Sequence, residues 1–153
     1  WFDWDKVNEE QGLLRFVSGL LRFRQKSKLF RHQSYWAGLG GTNIVWHGVH
    51  LQQPDWGDQS HSIAFELFNP GSGDVHEHLY IMLNAYWEPL DFQLPDLSAG
   101  LCWARLVDTS QSSPADFAEP PLSLPESQNS YTVTARSVVV LITQNISHGG
   151  SKI

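Results

Sequence analysis

Cysteine, methionine and basic residues are scarce in this chain of 153 residues, and each scarcity excludes something. A lone cysteine, Cys102, rules out an internal disulfide and suits a reducing compartment. Ten basic residues against sixteen acidic ones leave a net charge of −6, so no basic stripe exists to neutralise a phosphate backbone, and nucleic acid is not an expected partner. No apolar run reaches the roughly 18 residues of a membrane-spanning helix, and no secretory signal is visible. The expectation is a soluble protein of the cytoplasm with no membrane partner. No glycine-rich phosphate loop follows a strand, no G-x-S-x-G elbow appears, and no internal repeat is present. The only methionine is Met82, in the middle of an apolar run, while the chain opens on Trp1, Phe2, Asp3, Trp4 and Asp5. Such an opening reads as a piece of a longer polypeptide.

What is abundant is aromatic and apolar. Seven tryptophans, eight phenylalanines and a charged fraction of only 17% describe a globular chain, long enough for one domain that buries roughly 68–70% of its unfolded surface. Helical periodicity is confined to about Glu9 to Lys26. There Leu13, Leu14, Phe16, Val17, Leu20, Leu21 and Phe23 cover an arc of roughly 180°, wider than one neighbour needs. Asn8 with Gln11 three residues on suggests a capping box, and Arg22, Arg24, Lys26 and Lys28 crowd the end where the helix dipole favours cations. Gly12 and Gly19 lie seven apart on one flank; either another backbone approaches them closely or they are merely tolerated.

After Gly38-Leu39-Gly40-Gly41 the period changes to two. Ile63, Phe65 and Leu67 alternate with Ala64 and Glu66, and Leu90, Phe92 and Leu94 alternate with Asp91 and Gln93. The run Leu79 to Leu83 is apolar on both faces, Ser137 to Ile142 is a β-branched run suited to a fully buried strand, and Trp46 and Trp103 centre two more candidates. Turn signals at 69–74, 87–89 and 94–100 separate them. The predicted fold is all-β: an antiparallel β-sandwich of about six to eight strands preceded by one amphipathic helix. Ser110 to Asn129, with four prolines, reads as a long surface connection, and 147–153 as a loose tail.

Candidate chemistry is sparse. His76 and His78 would share a strand face and could share a metal with His61, although no cysteine or carboxylate set completes a coordination sphere, and polar residues at a hairpin mouth are the ordinary alternative. His47 and His50, three apart, fall on opposite faces of a strand. Cys102 beside Trp103 reads as a small buried hydrophobe rather than a nucleophile. Asp55 and Asp58 flank Trp56 in a turn where the ring could stack on a sugar or simply pack, and the two carboxylates could form a cation loop. No metal or other cofactor is expected.

The ordered series "WFDWD", "LLRFVSGLLRFRQKSKLFR" (Leu13 to Arg31), "NIVWHGVHLQQPDW", "HSIAFEL", "LYIMLNAYWEPLDFQLP", "WARLVDTSQSSPADF" and "ARSVVVLI" resembles the C-terminal part of glycogen debranching enzymes and isoamylases of the α-amylase superfamily. The bacterial and cyanobacterial glycogen-operon type is the most similar, with plant isoamylases close. The resemblance implies that residues 1–36 are the end of a catalytic (β/α)₈ barrel, a loop plus its final helix. It implies that 37–146 are the C-terminal sandwich and 147–153 a flexible tail. It implies a parent enzyme that hydrolyses α-1,6-glucosidic branch linkages with two carboxylates about 5–5.5 Å apart, both upstream of this chain, so the chain carries no catalytic residue. Its partners would be the barrel of the same polypeptide and branched α-glucan, in the cytoplasm or, for a plant relative, the plastid stroma.

Two roles then compete. In the first the sandwich supports the barrel, with Trp1 and Asp3 bracing a loop near the cleft. In the second Trp56, Trp36 or Trp87 stacks on glucan. A helix cut from its barrel should also expose a sticky flank involving Phe16, Leu20 or Phe23, available for self-association unless Trp1 to Trp4 fold back over it.

Overall fold

The computed structural model describes residues 4–30, 43–69 and 78–146. Trp1, Asp3, Trp36, His76 and the tail from 147 lie outside them. A short turn of helix, α1 (Lys6–Glu9), leads into α2 (Gln11–Lys26), and a 3₁₀ turn follows at Lys28–Phe30. Eight strands follow among the described residues: β1 (Asn43–His47), β2 (Ser62–Phe68), β3 (His78–Asn84), β4 (Leu90–Gln93), β5 (Leu101–Asp108), β6 (Phe117–Ser123), β7 (Ser130–Val133) and β8 (Ser137–Asn145). Six of them form an antiparallel sheet in the order β1-β2-β3-β8-β5-β6, and β4 pairs with β7 in a second sheet. The expected all-β sandwich with a leading helix is what the chain forms.

The central strands of the six-stranded sheet are covered on both faces. Tyr80, Met82, Val139, Leu141, Ala64 and Trp103 face the β4-β7 pair and enclose Phe92 and Val133. Leu67, Leu79, Ala104, Leu106 and Ile142 face the other way, onto Leu29 and the side chains of Phe16, Leu20 and Phe23. This accounts for the double-sided runs in β3 and β8, whose alternate residues serve two different cores. It also corrects the simple reading of β2, where the alternating apolar set Ile63, Phe65 and Leu67 points to the helix side and the small Ala64 fills the sandwich interior.

Two further corrections concern strands. The proline-rich segment 110–129 is not only a connection, since β6 pairs with β5 there. Pro120 and Pro121 are accommodated because β6 is the last strand of the sheet, where a missing amide hydrogen costs no ladder bond. Strand β7 has four residues and is recognisable only through its pairing with β4.

The helix also departs from expectation in detail. No capping box forms: the N-cap of α2 is Glu10 without a side-chain cap, and the Gln11 amide Nε2 donates to the Val7 carbonyl. Gly19 is buried, but its neighbour is the Phe117 ring rather than a backbone, while Gly12 faces Ser113 at ordinary contact distance. Most important, the predicted sticky flank is reversed. Phe16, Leu20 and Phe23 pack on the sheet, and Leu13, Leu14, Val17 and Leu21 are the exposed residues, at 43 to 59%. At about 100° per residue the packed set spans an arc of roughly 60° and the exposed set one of roughly 100°, and the two arcs adjoin. Arg15 pairs with Asp116 and Arg22 with Glu119, tying α2 to the β6 side of the sheet.

Candidate functional site

Two surfaces and one buried network hold the candidate residues. At the start of β2 and the end of β3, Ser62 faces Asn84 across the ladder, so the loops entering β2 and leaving β3 meet. The Ala85 amide donates to the His61 carbonyl at 2.8 Å and fastens them together. A groove of about 420 Å³ opens there, with Ile63, Leu83 and Ala85 along it and Trp56, Ser60 and His61 at its edges. Trp56 sits in a turn closed by Asp55, whose Oδ1 accepts the Gly57 amide at 2.9 Å, and its ring meets Trp46 edge-on at 5.4 Å. Across the groove His61 stacks on Tyr86 at 6.0 Å and 18°, and Tyr86 lies 4.0 Å from Trp87. Trp56 and Trp87 are 65% and 63% exposed.

The expected histidine grouping is rearranged. His61 and His78 flank opposite ends of the β2-β3 ladder, since His78 pairs with Phe68 while His61 precedes Ser62. His78 instead meets Glu66, with Nε2 2.6 Å from Oε2, and His47 meets the other oxygen, with Nε2 2.8 Å from Oε1. The His47 Nδ1 accepts the Gln52 amide at 2.7 Å, which leaves the ring proton on Nε2 and makes that nitrogen the donor to Glu66. The turn supplying that amide is tight: Gln52 adopts φ 56°, and a Cβ on Gly48 would lie 2.3 Å from the Gln53 carbonyl oxygen.

Burial pushes the Glu66 carboxyl up, but the hydrogen bond and charge of His78 and then the hydrogen bond of His47 outweigh it, and the net effect holds Glu66 below its ordinary value. Burial, and after it the Glu66 charge, push the Tyr80 phenol up; its hydroxyl donates to the Gln93 carbonyl at 3.0 Å. With both oxygens engaged, Glu66 bridges β1, β2 and β3 and is poorly disposed to attack a substrate. Pattern reading missed this network, because Glu66 in an alternating strand looks like an outward polar residue; only the partner strands reveal the two imidazoles beside it.

Among the described residues no group of three or more His, Cys, Asp or Glu could hold a metal ion. Cys102 is buried in β5 beside Trp103. No helix among the described residues is long and apolar enough to cross a membrane. A second groove, of about 490 Å³, lies between loops 94–101 and 124–129.

Against known proteins, residues 45–146 match the family model described as Isoamylase 1-3, C-terminal. Isoamylase 1, chloroplastic, of Oryza sativa subsp. japonica is 31% identical over 76% of this chain, and Isoamylase 2, chloroplastic, of the same plant is 31% identical over 88%. An isoamylase of Flavobacterium sp is 22% identical over 94% of the chain. The chain spans 14%, 17% and 20% of these relatives' lengths respectively. In fold it is similar to a crystallised pullulanase type I from Bacillus subtilis str. 168 complexed with maltose, with a TM-score of 0.58 and 17% identity over 92% of this chain and 17% of that one. With the match running from β1 to the end of β8, the chain belongs to the isoamylase C-terminal domain family.

Proposed function

We propose that this chain is the C-terminal portion of a longer debranching enzyme that hydrolyses α-1,6-glucosidic linkages in glycogen or amylopectin, and that it supports the catalytic barrel without performing chemistry. Residues 1–36 would be the end of that barrel, 37–146 the supporting sandwich and 147–153 a tail. Trp1 and Asp3 would brace the loop near the cleft, in the cytoplasm or a plastid stroma.

The observation that carries this reading is the two-sided helix. One arc of α2 is spent on its own sheet through Phe16, Leu20 and Phe23, and the adjoining arc presents Leu13, Leu14, Val17 and Leu21 to solvent. A contiguous apolar strip of that kind marks an interaction surface. The chain's share of its relatives' length leaves room for a much larger partner within the same polypeptide. In the chain by itself the strip would drive self-association.

The test compares the 153-residue chain with a longer polypeptide that includes the upstream barrel. The chain should release no reducing ends from amylopectin, and the longer form should. The double variant Leu14→Glu/Leu21→Glu should leave the melting temperature of the chain nearly unchanged, abolish its self-association in sedimentation, and lower the melting temperature of the longer form. Equal melting shifts in both forms, or cleavage by the chain, would refute the support role.

A further inference from the structure

We propose that the groove between Trp56 and the His61-Tyr86-Trp87 stack is a surface subsite for a linear α-glucan chain. The proposal rests on the function above only in choosing α-glucan among neutral sugars.

The groove matches the two-sided chemistry of a pyranose ring, whose C–H face is apolar and whose edge carries hydroxyls. One wall is the exposed ring of Trp56, the floor is Ile63 and Leu83, and His61 lines the groove with Tyr86 and the exposed Trp87 beside its ring at 6.0 and 6.4 Å. The Ser60 hydroxyl, the His61 imidazole and the Asp55 carboxylate supply donors and acceptors at its rim. The lining rings are already ordered: Trp46 buttresses Trp56 and in turn leans on Phe65 at 5.1 Å, while Tyr86 stacks on His61 and is itself backed by Trp87. Preordering of this kind reduces the entropy lost when a ligand seats.

Charge narrows the ligand class. No lysine or arginine lines the groove, and Asp55 does. A phosphorylated or otherwise anionic ligand would meet repulsion, whereas a neutral polyol meets none. The volume of about 420 Å³ lies within the range of small-ligand clefts.

The groove is also distinct from the surface assigned to barrel support. Its lining runs from Asp55 to Ile63 with Leu83 and Ala85, and includes none of Leu13, Leu14, Val17 and Leu21.

Titration calorimetry of the chain with maltoheptaose tests the proposal. Binding should be saturable, and Trp56→Ala and Trp87→Ala should each weaken it about fivefold or more. Leu122→Ala, which truncates an exposed leucine on β6, should leave it unchanged. All these side chains are exposed, so far-ultraviolet circular dichroism should show the same fold throughout. Absence of saturable binding by the folded chain, or binding indifferent to both tryptophan variants, overturns the proposal. The longer polypeptide supplies a second readout, electrophoresis through glycogen-containing gels. Loss of retardation in the tryptophan variants supports the subsite. Unchanged retardation assigns the groove to an intramolecular contact and overturns it. Failure of the barrel-support reading would appear separately, in the Leu14 and Leu21 variants.

Discussion

Gly12 and Gly19 sit on the same side of one helix, yet alanine at the two positions should move stability in opposite directions. Both replacements remove backbone freedom from the unfolded chain, a gain of about 0.5–1 kcal/mol in a helix interior and less for Gly12, in the first turn. At Gly12 the added methyl would meet Ser113 Cβ and Oγ at 3.4 Å, an ordinary contact, so the gain survives. At Gly19 it would lie 2.9 Å from Phe117 Cε1 and 3.0 Å from Cδ1. That ring is 5% exposed, stands edge-on to Phe16 at 6.4 Å, and belongs to the buried cluster under α2, so it cannot swing aside freely. Overpacking of this kind costs about 1–3 kcal/mol. Gly12→Ala should therefore raise stability by a few tenths of a kcal/mol to about 1, and Gly19→Ala should lower it by about 1. Urea unfolding followed by tryptophan fluorescence measures both, and about 1 kcal/mol corresponds to roughly 2–4 °C in melting temperature for a domain near this size. Pairing Gly19→Ala with Phe117→Leu should recover part of the loss, with a coupling near 1 kcal/mol. If both alanines stabilise equally, or if the cycle shows no coupling, the contact between helix and sheet is not as described.

The buried polar groups yield two more predictions. Glu66→Gln should cost about 1–3 kcal/mol at neutral pH, since the carboxylate accepts from both His47 and His78. Because the folded-state pKa of Glu66 lies below its unfolded value near 4.5, its contribution is complete above that value and is lost as pH falls through the folded one. The gap between wild type and Glu66→Gln in urea midpoints should then close on acidification below about pH 4.5; a gap independent of pH would show that the carboxylate charge plays no part. Asn84, 2% exposed, directs Nδ2 at the carbonyls of Glu88, Val133 and Thr134 and accepts the Tyr86 amide through Oδ1. Asn84→Asp, which sets a carboxylate against three carbonyl oxygens, should destabilise more than Asn84→Ala, itself expected to cost about 1–3 kcal/mol in thermal denaturation; the reverse order would refute the assignment of the amide nitrogen.

Periodicity made most of the elements legible. The change from 3.6 to 2 after Gly41, the double-sided apolar runs of β3 and β8, and the turn signals are local facts, and they yielded six strands and a helix whose ends at Gln11 and Lys26 lie close to expectation. The missed strands, β6 and β7, are those whose stability is not local. A proline-bearing edge strand and a four-residue strand persist because β5 and β4 lie beside them. Of the candidate aromatics, Trp56 and Trp87 are exposed, and nothing in the spacing of 56 and 61 announced that both would line one groove.

The wide apolar arc of α2 was inherent in the order of its residues, because side-chain direction around a helix follows from position alone. Which half of the arc would be covered was not. Phe16, Leu20 and Phe23 are as apolar as Leu13, Leu14, Val17 and Leu21, and the choice between them was made by the sheet, where a glycine at 19 lets the Phe117 ring approach one flank and the pairs from Arg15 and Arg22 hold the helix there. The same division holds for Glu66: its place in β2 was readable from alternation, but its two imidazole partners come from β1 and β3, and only strand register could bring them to it.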